Sequence, residues 1–432
     1  MTEAAYGPTS ADMIKHIGEA VGVTTRLQQN KVLNALRDTD SEISLKRLNT
    51  QQRKMALQLL KAASPVTHRM SRSTRSLLRR YHEKGLLTSP IAKREPLDIP
   101  VELSEKERAV YVQVENYISD TYQKAGPDAR GAVGFVMTIY RRRLASSFHA
   151  LRRTLTDRLA ALHDNKNAKA VFGTTAEEDL PVDETADEQV SADEAADLEK
   201  QALVAEEEGE IQKLLGAIAK LGTDSKALRL EQELRSAFKD GYDSAIIFTQ
   251  YTATLDFLKE FLAERMDLSI GTYSGRGGET RDLGGAWTPR SKEHIKRALL
   301  HGQIKLLVCT DAAGEGLNLQ SCGVLVNYDL PWNPMKVEQR IGRIDRIGQK
   351  HPTVRVINLA YAGTVEADVY FALSDRIDLF QGLVGKLQPI LARLPKTFEQ
   401  TALGKREDRE RAQAQVVHDL GTQITTADAE GL

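Results

Sequence analysis

The chain has 432 residues, of which 41% are hydrophobic and 28% are charged. These values are close to the averages for soluble globular proteins, and they argue against both a membrane protein and a fully disordered one. The sequence has no apolar run of about eighteen residues, and its first residues lack the basic and apolar regions of a secretion signal. We therefore expect two or three soluble domains in the cytoplasm.

Two segments of opposite charge stand out, although the formal net charge is only −1. The segment from Lys61 to Arg94 contains nine Lys and Arg residues and one acid, Glu83. The segment from Glu177 to Glu210 contains fifteen Asp and Glu residues and one base, Lys200. Acidic stretches with almost no aromatic residues bury too little apolar surface to fold, so we predict a disordered or loosely helical insert there.

Residues up to about Leu159 are predicted to be mostly helical. Apolar residues recur at helical spacing in LKRLNTQQRKMALQLLKAA and in SEKERAVYVQVENYISDTY, where Ser104 is a candidate N-cap. The intervening IAKREPLDIPVELS is predicted to be extended because prolines interrupt it. TIYRRRLASSFHALRRTLTDRLAAL is predicted to be one basic amphipathic helix, whose arginines form either a solvated face or a binding face: Arg141 to Arg143, Arg152 and Arg153.

From about Lys226 onwards, short apolar runs alternate with helical patterns, which is typical of a doubly wound parallel sheet. The predicted strands are SAIIFTQY, SIGTYSG, IKLLVCTD, VLVNYDLP and VRVINLAY, and the predicted helices between them include TATLDFLKEFLAER and SKEHIKRALLHG. We therefore divide the chain into a mostly helical region (1–160), an acidic insert (161–215), an α/β domain (216–390) and a charged helical tail (391–432).

Residues that could carry chemistry follow the predicted strand IKLLVCTD. Gly314 and Gly316 bracket an acid at the carboxyl end of this strand, where open α/β sheets bind ligands, although a glycine pair also suits a tight turn. Further along, Arg340, Arg343 and Arg346 are spaced so that we expect them on one helical face. Their guanidinium groups repel one another unless acids or an anion lie opposite, and a polyphosphate matches their forked geometry.

Together these segments resemble the second motor domain of superfamily-two helicases and translocases of the Swi/Snf type. TDAAGEGLNLQ and EQRIGRIDRIGQ look like the fifth and sixth motifs of that domain, and IIFTQYTATLDFL looks like the fourth. TYSG resembles the glycine turn after the fourth motif, and VNYDLPWNP resembles the segment before the sixth. The resemblance implies a RecA-like fold. Residues 65–116 more loosely resemble the link from the first motor lobe in bacterial members, including those that act with RNA polymerase or in defence systems.

The resemblance also implies roles for individual residues. Arg343 and Arg346 would be arginine fingers that reach the γ-phosphate of ATP. The remaining ATP-binding residues would be Gln339, Gly316, Asn318 and Asp311. A nucleic-acid backbone would be contacted by Thr249, Gln250, Ser274, Gly275 and Thr310. For Arg340 we favour a structural salt bridge, with Asp345 or Glu338 as the partner.

The sequence contains no phosphate-binding loop of the form GxxxxGK followed by Ser or Thr, and no acidic box behind an apolar strand that would hold magnesium. We therefore expect one half of an ATP-dependent motor on double-stranded DNA. A complementary chain or missing segment would carry the first motor lobe, with most of the site for ATP and Mg²⁺. RNA polymerase or defence-system proteins would be further partners, and no membrane is involved. The alternative is an ATP-independent module that binds nucleic acid or protein through the basic faces at Lys61 to Arg94 and Arg141 to Arg158.

The cysteines and histidines suggest no additional chemistry. Cys309 and Cys322 lie in apolar surroundings and are expected to be small buried hydrophobes. The nine histidines show no metal-ligand spacing, so we predict no metal site in this chain.

Overall fold

The computed structural model describes residues 11–37, 47–63, 75–89, 91–127, 130–163, 204–281, 285–311, 319–364 and 367. The predicted charged tail and most of the predicted acidic insert lie outside these ranges. The described residues form two compact units, the first ending at Leu78 and the second beginning at Arg79.

The described part of the first unit consists mainly of the helices α1 (Ala11–Ala20), α2 (Arg26–Arg37) and α3 (Thr50–Ala63), and α4 (Arg75–Glu83) spans the boundary between the units. Val32 and Met55 are fully buried in a small core between α2 and α3. Helix α3 is capped by Asn49, whose side-chain oxygen accepts a hydrogen bond from the Gln52 backbone N–H at 2.8 Å.

The second unit is organised around an eight-stranded sheet. Its strands are β1 (Lys93–Val101), β2 (Ala245–Thr249), β3 (Ile270–Ser274), β4 (Gly277–Arg281), β5 (Trp287–Arg290), β6 (Leu306–Thr310), β7 (Val324–Asn327) and β8 (Thr353–Tyr361). Their order across the sheet is β1-β8-β7-β2-β6-β3-β4-β5. All neighbouring pairs are parallel except β3 with β4 and β4 with β5, so the doubly wound, mostly parallel sheet predicted from the sequence is confirmed.

Between β1 and β2 the chain forms a helical bundle of α5 (Glu105–Lys124), α6 (Arg130–Ser146), α7 (Phe148–His163) and α8 (Val204–Ile218). Helix α5 begins behind the predicted N-cap, where Ser104 and Glu107 form a capping box. Ile118, Met137 and Leu151 are fully buried in the bundle core. Helix α8 begins inside the range that we assigned to the acidic insert, so at least the end of that range is helical.

The segment that we predicted as one basic amphipathic helix is in fact two helices, α6 and α7. The helix is interrupted at Ser147. The Ser147 hydroxyl accepts a hydrogen bond from the Ala150 backbone N–H at 3.0 Å and so caps the start of α7. Apolar residues continue at helical spacing on both sides of this break, so periodicity alone did not reveal it.

The basic face predicted for this segment is also wrong for three of its arginines. Arg141, Arg143 and Arg158 are only 1%, 5% and 3% exposed. Arg141 donates to Glu115 at 2.9 Å and Arg158 donates to Glu207 at 2.9 Å, so carboxylates of the bundle neutralise two of these charges internally. Arg152 and Arg153 are exposed.

Helices cover both faces of the sheet. One face packs against α9 (Ser225–Lys239) and α10 (Thr252–Arg265), and the other packs against α11 (Lys292–Leu300) and α12 (Pro334–Ile344). Along β2, Ala245 and Ile247 pack on the face covered by α9 and α10, whereas Ile246 and Phe248 pack on the face covered by α11 and α12. This alternation explains why the strand is apolar from Ala245 to Phe248, as expected for a sheet buried on both sides.

The sequence did not predict the two margins of the sheet. At one margin, β1 is the proline-containing segment that we expected to be extended, and it pairs with β8 from Lys93 to Val101. Prolines are tolerated there because an edge strand has a neighbour on one side only. At the other margin, β4 and β5 form an antiparallel ribbon of polar residues.

In the part of the chain that the structure describes, no helix is both long and apolar enough to cross a membrane.

Candidate functional site

The parallel strands bring their carboxyl ends to one edge of the sheet. In the register of β2 and β6, Thr249 lies beside Thr310, and in the register of β2 and β7, Phe248 lies beside Asn327. Both threonines are buried, with 0% and 2% exposure. The predicted site residues Thr249 and Thr310 are therefore neighbours at this edge, although they lie far apart in the sequence.

Asp329 is the centre of a buried hydrogen-bond network at this edge. Its carboxylate accepts hydrogen bonds from the Thr249 hydroxyl at 2.5 Å, the Ser146 hydroxyl at 2.7 Å and the Gln250 backbone N–H at 2.9 Å. The Gln250 side chain adds a bond at 3.3 Å. Asp329 thereby fixes the turn after β2 and ties it to the end of helix α6.

A cleft opens beside this network, and its wall carries side chains from both the sheet and the bundle. Arg142 lies over the Trp332 ring at 4.3 Å, and Arg143 lies over the Tyr251 ring at 4.2 Å. Trp332 is 5% exposed and lies in the loop before α12. The residues lining the cleft include Arg142, Ser146, Gln250, Tyr251, Asp329 and Trp332.

The Arg340 guanidinium is buried and fully engaged in hydrogen bonds and an ion pair. Its guanidinium makes a bidentate pair with Asp311, at 2.5 and 2.7 Å, and also donates to the side chain of Asn327 at 3.0 Å and to the backbone carbonyl of Asp329 at 2.9 Å. Burial alone would lower the pKa of Arg340, but Asp311 and Asp329 outweigh it and raise the pKa above its ordinary value. The guanidinium is therefore permanently charged and joins α12 to the ends of β6 and β7.

The structural salt bridge that we predicted for Arg340 exists, but both predicted partners are wrong. Asp345 and Glu338 instead bind Arg94, which lies on β1: the Arg94 guanidinium donates to Glu338 at 2.9 Å and also to Asp345. The sequence could not indicate this pairing, because 244 and 251 residues separate Arg94 from these two acids.

Arg343 and Arg346 have different surroundings from Arg340, although all three arginines lie on or just after α12. The Arg343 side chain is half-buried and makes no ion pair or hydrogen bond with the described residues. Arg346 is exposed, and among the described residues its guanidinium donates to the Gly342 carbonyl at 2.8 Å. Among the described residues, no acid pairs with either of these two cationic side chains.

The end of α12 is fixed by Gln349. Its side-chain amide donates to the Ile344 carbonyl at 2.8 Å and to the Cys322 carbonyl at 3.0 Å, so it satisfies a carbonyl at the carboxyl end of the helix. Gly348 has a φ of +94°, a conformation that side-chain-bearing residues rarely adopt. The structure alone therefore explains why glycine and glutamine occupy positions 348 and 349.

The other predicted site residues fall into three groups. Gly316 and Asn318 lie outside the described residues. Gln339 and Gly275 are exposed, whereas Ser274 is buried and its hydroxyl accepts a hydrogen bond from the Arg276 N–H at 3.2 Å. The Thr310 hydroxyl is buried and finds no hydrogen-bond partner among the described residues. The predicted contacts of all these residues with ATP or nucleic acid stay predictions.

Three residues that organise the site were not singled out from the sequence: Asp329, Asn327 and Arg94. Asn327 ends β7 and Asp329 follows it by two residues, and polar residues at the end of a buried strand were the signal that could have found them. Asn327 continues the network outward, because it donates to Asn358 at 2.7 Å and Asn358 donates to Asp98 on β1 at 2.6 Å.

Neither the two cysteines nor the described His, Asp and Glu side chains form a reactive thiol site or a metal site. Cys309 and Cys322 are free and fully buried, as expected. Burial raises the pKa of the Cys322 thiol to about 11, so it stays protonated and unreactive at neutral pH. Among the described residues, no group of three or more His, Cys, Asp or Glu side chains is arranged to hold a metal ion.

Comparison with known proteins identifies the α/β part of the chain. Residues 225–348 match the helicase conserved C-terminal domain. The uncharacterized ATP-dependent helicase YqhH of Bacillus subtilis (strain 168) is 39% identical over 196 residues, which are 45% of this chain and 32% of that protein. RNA polymerase-associated protein RapA of Serratia proteamaculans (strain 568) is 31% identical over 28% of this chain and 12% of its own length. The chromatin-remodeling ATPase INO80 of Eremothecium gossypii is 32% identical over 33% of this chain and 10% of its own length.

Solved structures with a related arrangement include the SWI2/SNF2 ATPase core of Sulfolobus solfataricus in complex with dsDNA. It has a TM-score of 0.42 at 14% identity and covers 86% of this chain and 58% of that one. The C-terminal part of the Fun30 ATPase domain has a TM-score of 0.37 at 15% identity and covers 65% of this chain and 89% of that one.

The chain matches at most about a third of the length of the three curated relatives above. The matched part contains the strands β2 to β7 and the helix α12, and therefore most of the polar edge described above. Residues 225–348 of this chain thus match the helicase conserved C-terminal domain, and part of the chain is similar to an ATP-dependent helicase.

Proposed function

We propose that this chain supplies the arginine fingers of an ATP-dependent motor that translocates on double-stranded DNA. The remainder of its ATP and Mg²⁺ site would come from the first motor lobe, on another chain or on a segment outside this sequence. The proposal rests on Arg343, which lies on the same helix as the fully paired Arg340 and is half-buried without an acid of its own among the described residues.

The environment of Arg343 favours an anionic ligand. A guanidinium that is partly removed from water without a counterion is unfavourable, and binding a phosphate bidentately would offset that cost. Asp311 is already neutralised by Arg340, so it is not available as a counterion for Arg343. Arg346 adds a second cation one helical turn further on. A γ-phosphate that gathers charge as it is transferred is an anion of this kind.

The contacts with DNA are proposed from the family of the lobe. Phosphate contacts dominate the affinity of such motors and carry no sequence information, so binding should be nearly independent of sequence and sensitive to salt. The name of the RapA relatives makes RNA polymerase a candidate partner for this chain too. We place the protein in the cytoplasm, where such partners are found.

The rival function is an ATP-independent module that binds nucleic acid or protein. One of its two proposed basic faces is weakened, because Arg141, Arg143 and Arg158 are buried in the bundle. The other, from Lys61 to Arg94, includes residues outside the described ranges and keeps its exposed members Arg79, Arg80 and Lys93. Such a module would not need an arginine that has no acidic partner among the described residues, as Arg343 has none.

Reconstitution distinguishes the two functions. ATP hydrolysis with duplex DNA would be measured for this chain, for a polypeptide that carries the phosphate-binding loop and is encoded beside it, and for their mixture. The proposal predicts ATP hydrolysis well above background in the mixture, but not with either polypeptide by itself. Duplex binding by this chain without turnover in the mixture would instead support the binding module.

A further inference from the structure

We infer that Arg94 is a positioning residue for the arginine finger, an inference that rests on the proposed role of Arg343. Arg94 belongs to the edge strand β1, where it pairs in register with Val354 of β8. It lies far from α12 in the sequence and touches neither of the residues proposed as fingers. Its guanidinium nevertheless binds α12 at two points, through Glu338 and Asp345.

The two points lie on either side of Arg343 along the chain. Glu338 precedes Arg343 by five residues and Asp345 follows it by two, so the held Cα positions are about 10 Å apart along the helix axis. Asp345 continues the helical pattern, since its backbone N–H donates to the Ile341 carbonyl at 2.9 Å. Two anchors at this separation oppose tilting of the helix, which a single anchor would allow.

The two acids share one face of α12, and the fingers lie on another. Residues seven apart are almost aligned at about 100° per residue, whereas Arg343 lies about 140° around the axis from Glu338. Arg340, about 160° around the axis from Glu338, holds the far side of the helix against Asp311. Helix α12 is thus held from two nearly opposite sides by two guanidinium groups, one its own and one from β1.

The contact of Arg94 is shielded from water, which strengthens it. The side chains of Arg94 and Asp345 are 15% and 2% exposed. If Arg94 is removed, Asp345 keeps a buried carboxylate without this partner, and the helix loses its anchor to β1. A displacement of about 1 Å at a catalytic group can reduce a rate by about 100-fold, so a loosened α12 should lower turnover even with Arg343 intact.

Arg355 provides a matched control. It lies on β8 beside β1, its side chain is 16% exposed, and it also binds two acids, Glu95 at 3.3 Å and Asp240 at 2.8 Å. Neither acid lies on α12. Arg355→Ala therefore removes a comparable ion pair from the same margin of the sheet without touching the finger helix.

The first test is hydrogen exchange of residues 334–349 in this chain, with wild type, Arg94→Ala, Arg94→Lys and Arg355→Ala. Exchange in this segment should rise at least tenfold in Arg94→Ala, rise less in Arg94→Lys, which can keep one of the two contacts, and stay unchanged in Arg355→Ala. Equal exchange in Arg94→Ala and Arg355→Ala would overturn the inference. This result does not depend on whether the chain takes part in ATP hydrolysis.

The second test uses the reconstituted mixture. Arg94→Ala should lower kcat by between about 10- and 100-fold with KM for ATP unchanged, and Arg94→Lys should restore part of the loss. If Arg343→Ala abolishes turnover but Arg94→Ala turns over at the wild-type rate, Arg94 does not position the finger. If Arg343→Ala itself is fully active, the proposed function fails, and Arg94 then has no finger to position.

Discussion

Arg340, Arg343 and Arg346 lie within seven residues of one another, but the protein uses them differently. Arg340 is 2% exposed and joins α12 to Asp311, Arg343 is half-buried and unpaired among the described residues, and Arg346 is exposed. A buried pair costs desolvation for both ions, so its main effect is to fix geometry rather than to add net stability. These differences predict different responses to substitution.

Arg340→Ala should strongly destabilise the second unit. The substitution leaves Asp311 without its bidentate partner at a partly buried position, and breaking such a pair costs about 3–5 kcal/mol of unfolding free energy. Arg346→Ala, just after the same helix, should change the unfolding free energy by less than about 0.5 kcal/mol because Arg346 is exposed. Denaturant unfolding of both variants measures the contrast, and similar midpoints would show that Arg340 is not structural.

The lowered pKa of Glu107 should make the unfolding free energy of the protein depend on pH. Burial opposes its charged form, but hydrogen bonds from Ser104 and Ser225 outweigh burial and lower its pKa below the ordinary value. Its contribution to stability should therefore be complete above the unfolded pKa of about 4.3 and be lost as the pH falls through the folded pKa.

The measurement compares the unfolding free energy of wild type with that of Glu107→Gln from pH 3 to 7. The variant should be less stable by about 1.5–3 kcal/mol at pH 7, since a neutral amide replaces a charged acceptor, and the difference should shrink below about pH 4. The nearby Asp224 acts in the opposite direction, because burial raises its pKa and the charge of Glu107 raises it further; Glu107→Gln removes this second contribution. A difference that stays constant over this pH range would contradict the assignment.

At the scale of secondary-structure elements, the bundle is joined to the sheet by buried polar contacts. Lys226 of α9 is fully buried, donates to the Ala145 carbonyl at 2.7 Å and lies 4.6 and 4.3 Å from the ring centres of Tyr328 and Tyr361. Within the bundle, Arg158 and Glu207 connect α7 and α8, which flank the segment 164–203. The bundle is therefore an integral part of the unit that carries the site.

The pair of Arg158 and Glu207 should tolerate joint replacement better than single replacement. Both side chains are at most 3% exposed, and Glu207→Leu alone would remove the carboxylate that accepts two hydrogen bonds from Arg158, at a cost of about 3–5 kcal/mol. The double variant Arg158→Leu with Glu207→Leu should be neutral or more stable by up to about 4 kcal/mol. Arg153→Ala, which breaks an exposed pair with Asp157, is the control and should cost less than about 1 kcal/mol. Additive losses in a double-mutant cycle would contradict this expectation.

The parallel strands could be predicted because they are buried on both faces and are therefore continuous apolar runs. The polar ribbon of β4 and β5 has no such run, and β1 contains prolines, so neither was identified as part of the sheet. Among the site residues, the arginines of α12 could be found from their spacing. The partners of Arg340 and the role of Arg94 could not, because they depend on contacts between strands and helices far apart in the sequence.

At the scale of the whole molecule, the second unit is built on a mostly parallel sheet, and contacts within the chain hold the polar edge of this sheet in place. Asp311, Asp329, Arg340 and Arg94 are all engaged in contacts within the chain. The sequence contains no phosphate-binding loop, and the Arg343 side chain makes no ion pair with the described residues. On this account, the lobe holds a rigid pair of fingers for a site completed by another lobe.

The most direct measurement is kcat for ATP hydrolysis on duplex DNA by the reconstituted mixture, with wild type compared with Arg343→Ala. Arg343→Lys tests whether charge without the forked geometry is sufficient. The account predicts that Arg343→Ala lowers kcat by about 10³-fold or more, as for arginine fingers in other motors, while the unfolding midpoint and duplex binding stay unchanged. Turnover by Arg343→Ala at the wild-type rate would contradict the claim that this chain supplies the finger.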